Sequence, residues 1–236
     1  MEKLFEYEEL DSTNNEAKRL IKEGDAAALY GAVVVARRQT GGRGRMGKGF
    51  FSPGGDSVYA TFILPPPENP ADRQITAAAA VAVCEAIEKT TAFKPGIKWV
   101  NDIIIEGKKV CGILTESVPG AAVLGIGVNI NLDEGSLPDD LRGIAGSLTM
   151  SGEERAAFFD ALAERVFQRT GDASRLMDEY RRRSVLTGNR IFVSRGEETR
   201  TATALGIADD GALIVSYDDG QVDELRTGDY SVHLAR

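Results

Sequence analysis

One histidine, two cysteines and one tryptophan in 236 residues leave little for side-chain nucleophilic or metal chemistry. A Ser–His or Cys–His system would have His233 as its one base, and His233 sits near the C-terminus on a strand pattern, where it reads as structural. Cys84 and Cys111 lie in apolar runs without C-x-x-C spacing. That excludes a thiolate metal site or redox pair and fits buried thiols in a reducing compartment. No apolar run reaches the ~18 residues of a membrane helix. The stretch Met1 to Glu9 is too acidic for a signal peptide, so a cytoplasmic protein without membrane contact is expected. With 36 Asp+Glu against 28 Lys+Arg, a net charge of −8 excludes a broad polyanion-binding surface.

Acid is also missing locally, and that absence is more informative. From Ala26 to Gly55 there is no Asp or Glu, while Arg37, Arg38, Arg43, Arg45 and Lys48 all fall there. The same stretch holds Gly41, Gly42, Gly44, Gly47 and Gly49. Glycine lets backbone approach a ligand closely, and arginine grips phosphate or carboxylate oxygens bidentately. The segment predicts a site for a small anion. Gly42-x-Gly44-x-x-Gly47 matches the dinucleotide fingerprint in letters only. The following Lys48-Gly49-Phe50-Phe51-Ser52-Pro53 does not read as a helix, and a phosphate-loop G-x-x-x-x-G-K-[ST] is absent.

The chain reads as an α+β protein. Ser12-Thr13 with Glu16 caps a short helix to Gly24. Strands are expected at 31–36 and 57–64. Asp72 is expected to cap an alanine-rich helix to about Thr90. Short connections then predict antiparallel strands at 97–100 with 103–105, 109–116 and 121–131. Ser151 with Glu154 is a capping box for a helix to about Arg169, and Asp172 is expected to start another, ending near Arg183. Beyond Gly188, five short β-type runs are separated by Asp210-Gly211 and Asp219-Gly220, a strong hairpin signal. A mixed, mainly antiparallel sheet with packed helices over residues 1–186, and a small C-terminal β-barrel over 187–236, are therefore expected.

Three further segments carry polar groups beside apolar strands. Lys98-Trp99-Val100-Asn101-Asp102 sets an amide and a carboxylate at a strand end, either as an ordinary turn after a core Trp or as ligands for hydrated Mg²⁺. Lys109 starts an apolar strand, either as an exposed end or as a fixed charge near a reacting phosphate. Gly125-Ile126-Gly127-Val128-Asn129 alternates small and branched residues and could leave room for a flat ligand over the sheet.

In order, Ser12-Thr13-Asn14, Gln39-Thr40-Gly41-Gly42-Arg43-Gly44-Arg45, Phe51-Ser52-Pro53, Lys98-Trp99-x-Asn101-Asp102, Lys109-x-x-Gly112-Ile113-Leu114 and Gly125-x-Gly127-x-Asn129 resemble the biotin protein ligases, over nearly the whole chain. The resemblance implies the class II synthetase-like biotin/lipoate ligase fold. It also implies biotin, ATP and Mg²⁺ as reactants, biotinyl-5′-AMP as intermediate, and the biotin carboxyl carrier protein of acetyl-CoA carboxylase as acceptor. By the same resemblance Ser12, Thr13, Asn14, Gln39, Gly41, Arg43, Gly44, Arg45, Lys109 and Gly112 would meet biotin. Arg43, Arg45, Lys48, Phe50, Trp99, Asn101, Lys109 and Asn129 would meet ATP, and Asn101 and Asp102 the metal. Lys109, Arg45 and Asp102 would be catalytic. The chain departs from the family where Val100 replaces a usual Pro, Phe50 a Trp, and His233 a basic residue. Motifs beginning at Ser12 leave no room for the helix-turn-helix of many bacterial members, so a short form without specific DNA binding is expected, with a homodimer as a possible assembly. A lipoate ligase of the same superfamily is the alternative within the fold. A non-catalytic nucleic-acid module, salt-dependent and without ATP turnover, is the alternative outside it.

Overall fold

The computed structural model describes residues 3–67, 74–172, 174–226 and 230–235. The chain order is β1 (Lys3–Leu10), α1 (Thr13–Glu23), β2 (Ala32–Gln39), β3 (Val58–Leu64), α2 (Gln74–Thr90), β4 (Gly96–Lys98), β5 (Asp102–Ile105), β6 (Lys108–Val118), β7 (Ala121–Val128), α3 (Gly152–Gly171), α4 (Leu176–Arg183) and then β8 (Arg190–Arg195), β9 (Glu198–Ile207), β10 (Leu213–Tyr217), β11 (Val222–Leu225) and β12 (Tyr230–Leu234). A seven-stranded sheet runs β1-β2-β3-β7-β6-β5-β4. The β1–β2 pair is parallel and the other neighbours are antiparallel, so the sheet is mixed and mainly antiparallel as expected.

Burial explains the layering. Every residue of β3 is buried, the polar Thr61 included, as suits an interior strand of the sheet that is otherwise apolar. The run Ala77 to Cys84 in α2 is also buried throughout, and its small side chains let α2 lie close between the sheet and α3. Burial pushes the Cys84 thiol up to about 12 and Cys111 well above its ordinary value, so both remain inert thiols. The capping box of α3 is present in both directions, Ser151 Oγ accepting from Glu154 N and Glu154 from Ser151 N.

Several expectations are corrected. The acidic N-terminus forms β1: Phe5, Tyr7 and Leu10 turn toward Ala17, Ile21 and Val34, while Glu8 and Glu9 face the β2 arginines. Glu8 pairs with Arg37 at 3.4 Å and Glu9 with Arg38 at 2.8 Å, so two of the five bases in the acid-free stretch serve a cross-strand ladder. Ser12 holds the N-cap position of α1 but makes no side-chain cap bond; Gln39 Oε1 accepts from Thr13 N instead. Asp172 ends α3 rather than starting α4, because its carboxylate accepts from Ser174 N and closes a tight turn. The strand expected over 121–131 stops at Val128. The cap expected at Asp72 lies outside the described residues.

The five C-terminal strands form a separate antiparallel sheet, ordered β11-β10-β9-β8-β12. Its two Asp-Gly turns place Gly211 and Gly220 at φ of 80° and 84°, which glycine adopts without a Cβ clash. This small sheet is stitched to the large one. Trp99 Nε1 donates to Gly211 O at 2.9 Å and Arg181 Nε of α4 to Ile207 O at 2.7 Å, while α4 itself is tied to the large sheet by Tyr180 Oη donating to Val100 O at 3.0 Å. One continuous cluster of buried side chains includes Val83, Trp99, Tyr180, Leu186, Ile191 and Val215. Replacing Trp99 by Phe keeps the ring but strands the Gly211 carbonyl. A loss of about 1–3 kcal/mol in urea unfolding is expected, and an unchanged midpoint would show that this bond holds nothing together.

Candidate functional site

The concave face of the large sheet, the glycine–arginine loop, the 141–146 loop and β12 enclose a cleft of about 850 Å³. Its wall joins one polar end, one apolar middle and one cationic mouth.

At the polar end, Gln39 Oε1 accepts from Thr13 N (2.9 Å) with Thr13 Oγ1 3.1 Å away, and Gln39 Nε2 donates to Ser52 Oγ at 3.0 Å. Thr61 Oγ1, fully buried beneath them, lies 2.7 Å from Asn14 Oδ1 and 2.8 Å from Thr13 Oγ1. This network needs Gly125: a Cβ there would stand 2.2 Å from Asn14 Oδ1. In the apolar middle, a Cβ at Gly127 or Gly112 would stand 2.5 or 2.9 Å from the Phe50 ring. The glycines read as room for a flat ligand are thus covered by Asn14 and Phe50 themselves. Phe50 meets Tyr59 edge-on at 6.4 Å, and Lys109 Nζ stands 5.8 Å from the Phe50 ring centre.

The glycine–arginine loop is a closed turn: Gly44 N donates to Lys48 O (2.7 Å) and Phe50 N to Gly42 O (2.9 Å). At its tip Arg45–Gly47 makes one short turn with Met46 at φ 55°, not the helix a dinucleotide fingerprint would open. Arg43 Nη1 donates to Asn15 Oδ1 at 3.1 Å. Arg45 points inward and is partly buried. Its Nη1 donates weakly to Asn101 Oδ1 (3.4 Å), and its buried Nη2 has no partner, which is a cost unless a ligand acceptor meets it. Burial lowers the Arg45 pKa, with the Asp102 charge opposing that shift.

At the cationic mouth Lys109 Nζ pairs with Asp102 Oδ1 at 2.6 Å. Asn101 is fixed by its amide donating to Ile113 O (2.7 Å) while Ile113 N donates to Asn101 O (3.0 Å). Lys98 Nζ lies 3.4 Å from His233 Nδ1, and both are held below their ordinary pKa, first by burial and then by neighbouring lysine charge. Trp99 lines the cleft from below with its indole N–H already committed to Gly211.

Of the residues expected at the site, Ser12, Thr13, Asn14, Gln39, Arg43, Gly44, Arg45, Lys48, Phe50, Trp99, Asn101, Asp102, Lys109 and Gly112 line this cleft. Gly41 and Asn129 do not. Gly41 N donates to Asp11 O at 2.8 Å, and the Asn129 amide donates to Gly146 O at 3.0 Å. Asn129 thus anchors the segment that carries Ile144 to the cleft. Sequence reasoning missed Lys98 and Tyr59, and left His233 structural although it lines the mouth. Lys98 stood inside a quoted motif; the β12 residues arrive from another sheet and carry no local signal.

Among the described residues no cluster of three or more His, Cys, Asp or Glu could cage a metal. Among the described residues Asp102 is the one carboxylate on the wall. Mg²⁺ commonly keeps its waters and is held by one or two carboxylates plus substrate phosphates, so Asp102 beside Asn101 fits an ion carried in by phosphates and not a resident one. A cleft with an uncharged polar end, aromatic walls and a mouth of Arg43, Arg45, Lys48, Lys98 and Lys109 fits a ligand that is neutral at one end and strongly anionic at the other.

The family model for the biotin/lipoate A/B protein ligase family matches residues 8–133, and that for the biotin protein ligase C-terminal domain matches residues 188–230. The chain is 34% identical to the bifunctional ligase/repressor of Bacillus subtilis (strain 168), covering 92% of this chain and 70% of that protein. It is 30% identical to the biotin–[acetyl-CoA-carboxylase] ligase of Mycobacterium tuberculosis, covering 94% and 86%. The biotin protein ligase of Aquifex aeolicus, solved with biotin and ATP, superposes with a TM-score of 0.83 at 25% identity, covering 100% of both chains.

Proposed function

The chain belongs to the biotin/lipoate A/B protein ligase family, and from that premise we propose that it activates biotin with MgATP and transfers it to one lysine of the biotin carboxyl carrier protein of acetyl-CoA carboxylase. In the first step a biotin carboxylate oxygen bonds to the α-phosphorus and pyrophosphate leaves. In the second the acceptor lysine nitrogen bonds to the carbonyl carbon of biotinyl-5′-AMP, and AMP leaves with the bonding electrons.

The observation that carries this reading is the buried, unpartnered Nη2 of Arg45 in a cleft that Lys109 and Asp102 also line and whose other end is uncharged and polar. Thr13, Asn14 and Gln39 would take the head of biotin. Lys109 would stand where carboxylate and α-phosphate oxygens converge. Arg43, Arg45 and Lys48 would close over the phosphates. Bound Mg²⁺ would supply phosphate charge neutralisation with Asp102 and Asn101 beside it. The rest is positioning and charge placement. The match of residues 188–230 to a biotin protein ligase C-terminal domain favours biotin over lipoate. We take residues 1–186 as the catalytic unit and 187–236 as the C-terminal one. Work on ATP and a carboxylase subunit, with two unbridged thiols, suits the cytoplasm.

ATP–pyrophosphate exchange tests the reading with biotin, lipoate or no acid. Exchange should require biotin; preference for lipoate, or exchange without any acid, overturns it. A nucleic-acid module would instead show salt-sensitive binding and no turnover. Arg45→Gly should release the adenylate early, so that bystander lysines become labelled. A variant that labelled the carrier domain alone, as tightly as wild type, would remove Arg45 from this role.

A further inference from the structure

Behind the polar end of the cleft, and off its wall, stands Glu116 on β6. Its carboxylate accepts from Asn14 Nδ2 (2.9 Å) at one oxygen and from Lys18 Nζ (2.7 Å) at the other, with Arg43 Nη1 at 3.7 Å. Burial raises its pKa, but the bonds from Lys18 and Asn14 and the Lys18 and Arg43 charges outweigh that and hold it below the ordinary glutamate value.

We infer that Glu116 is a positioning residue for the ligation reaction, fixing which polar faces Asn14 and Thr13 show to biotin and tying Arg43 to the sheet. This rests on the reading of the polar end as the biotin site. The argument is one of hydrogen counting. An ionised carboxylate only accepts, so Glu116, with the Leu114 carbonyl at a weaker 3.4 Å, turns Asn14 Nδ2 toward itself and Oδ1 toward Thr61. Thr61 has a single hydroxyl proton. Asn14 Oδ1 at 2.7 Å draws it, and Thr61 can then only accept from the Thr13 hydroxyl 2.8 Å away. Gln39 is set separately, its Oε1 held by the Thr13 backbone N–H and its Nε2 by Ser52. From Glu116 to Asn14, Thr61 and the Thr13 hydroxyl each orientation follows from the one before it, and the chain starts at a half-buried negative charge. A glutamine at 116 could offer either its oxygen or its NH₂, and the sequence of orientations would lose its anchor. The second oxygen adds a mechanical link, because Lys18 on α1 and Arg43 on the loop converge on it.

Glu116→Gln keeps the size and removes the charge. In biotin-dependent ATP–pyrophosphate exchange it should raise KM for biotin roughly tenfold or more, the loss typical of a charge-assisted bond. It should leave kcat within about threefold and KM for ATP near wild type, a split that a general loss of structure would not give. Thr61→Val cuts the same chain without touching the carboxylate and should raise KM for biotin in the same way. The double variant should lose less than the product of the two single losses, because both break one chain. A biotin KM within twofold of wild type in either variant, or losses that multiply in the double variant, would overturn the inference while the wild-type enzyme still ran on biotin. Failure of the wild type to use biotin would instead overturn the functional reading, and this inference with it.

Discussion

Lys109→Ala should cut biotin-dependent ATP–pyrophosphate exchange by about two orders of magnitude or more, the usual cost of removing one preorganised charge at a developing oxyanion. Transfer from pre-made biotinyl-5′-AMP to the carrier domain should fall less, because the anhydride bond already exists. Lys109 also neutralises Asp102 at 2.6 Å, so its loss leaves a carboxylate at the cleft mouth where phosphates would come. That second effect can be separated. Asp102→Asn alone is the reference: if repulsion from Asp102 caused the defect, the double variant would match Asp102→Asn alone; if Lys109 acts on the reacting oxygens, the double variant falls well below it. Lys109→Arg should not rescue, since a planar fork cannot stand in for a compact ammonium over the Phe50 ring. Equal loss in both half-reactions would give Lys109 a different task.

Gly125→Ala should weaken biotin binding roughly tenfold to hundredfold by displacing Asn14 from the polar end of the cleft. The new methyl would lie 2.2 Å from Asn14 Oδ1, and β7 cannot retreat because β3 and β6 clamp it from both sides. Asn14 has to leave, and with it goes its bond to Thr61. Forcing a methyl into a packed site costs about 1–3 kcal/mol, which at the ligand corresponds to roughly tenfold to hundredfold weaker binding. Calorimetric titration with biotin reads this directly. Gly206→Ala on β9 is the control: nothing lies within 4 Å of its added carbon, and binding should match wild type. Wild-type affinity in Gly125→Ala would mean that Asn14 plays no part in the site.

What the sequence made legible follows from local physics. A Ser151–Glu154 box, Asp-Gly turns and an arginine-studded glycine loop each declare themselves within a few residues. What stayed hidden depends on partners far along the chain. Glu8 and Glu9 read as solvated acid until Arg37 and Arg38 of β2 come alongside. Glu116 reads as one polar step in a strand until α1 brings Asn14 and Lys18 against it. His233 reaches the mouth of the cleft because a separate sheet delivers it there. Asn129 carried a family motif, yet its amide is spent on Gly146 and not on the cleft. The glycines of β7 were legible as a gap, but the groups that fill it, Asn14 and Phe50, come from α1 and the loop.

The stitching of the two sheets has a thermal consequence. Trp99 and Arg181 bond across the junction, to Gly211 O and Ile207 O, and one unbroken set of buried side chains runs from α2 into β8 and β10. A boundary crossed by so much dry contact leaves neither sheet an independent melting event. Scanning calorimetry should therefore record one endotherm, with calorimetric and van't Hoff enthalpies in agreement. The five-stranded sheet would then behave as part of the enzyme's own cooperative unit, and heating would dismantle the wall bearing His233 at the same temperature as the floor bearing Lys109.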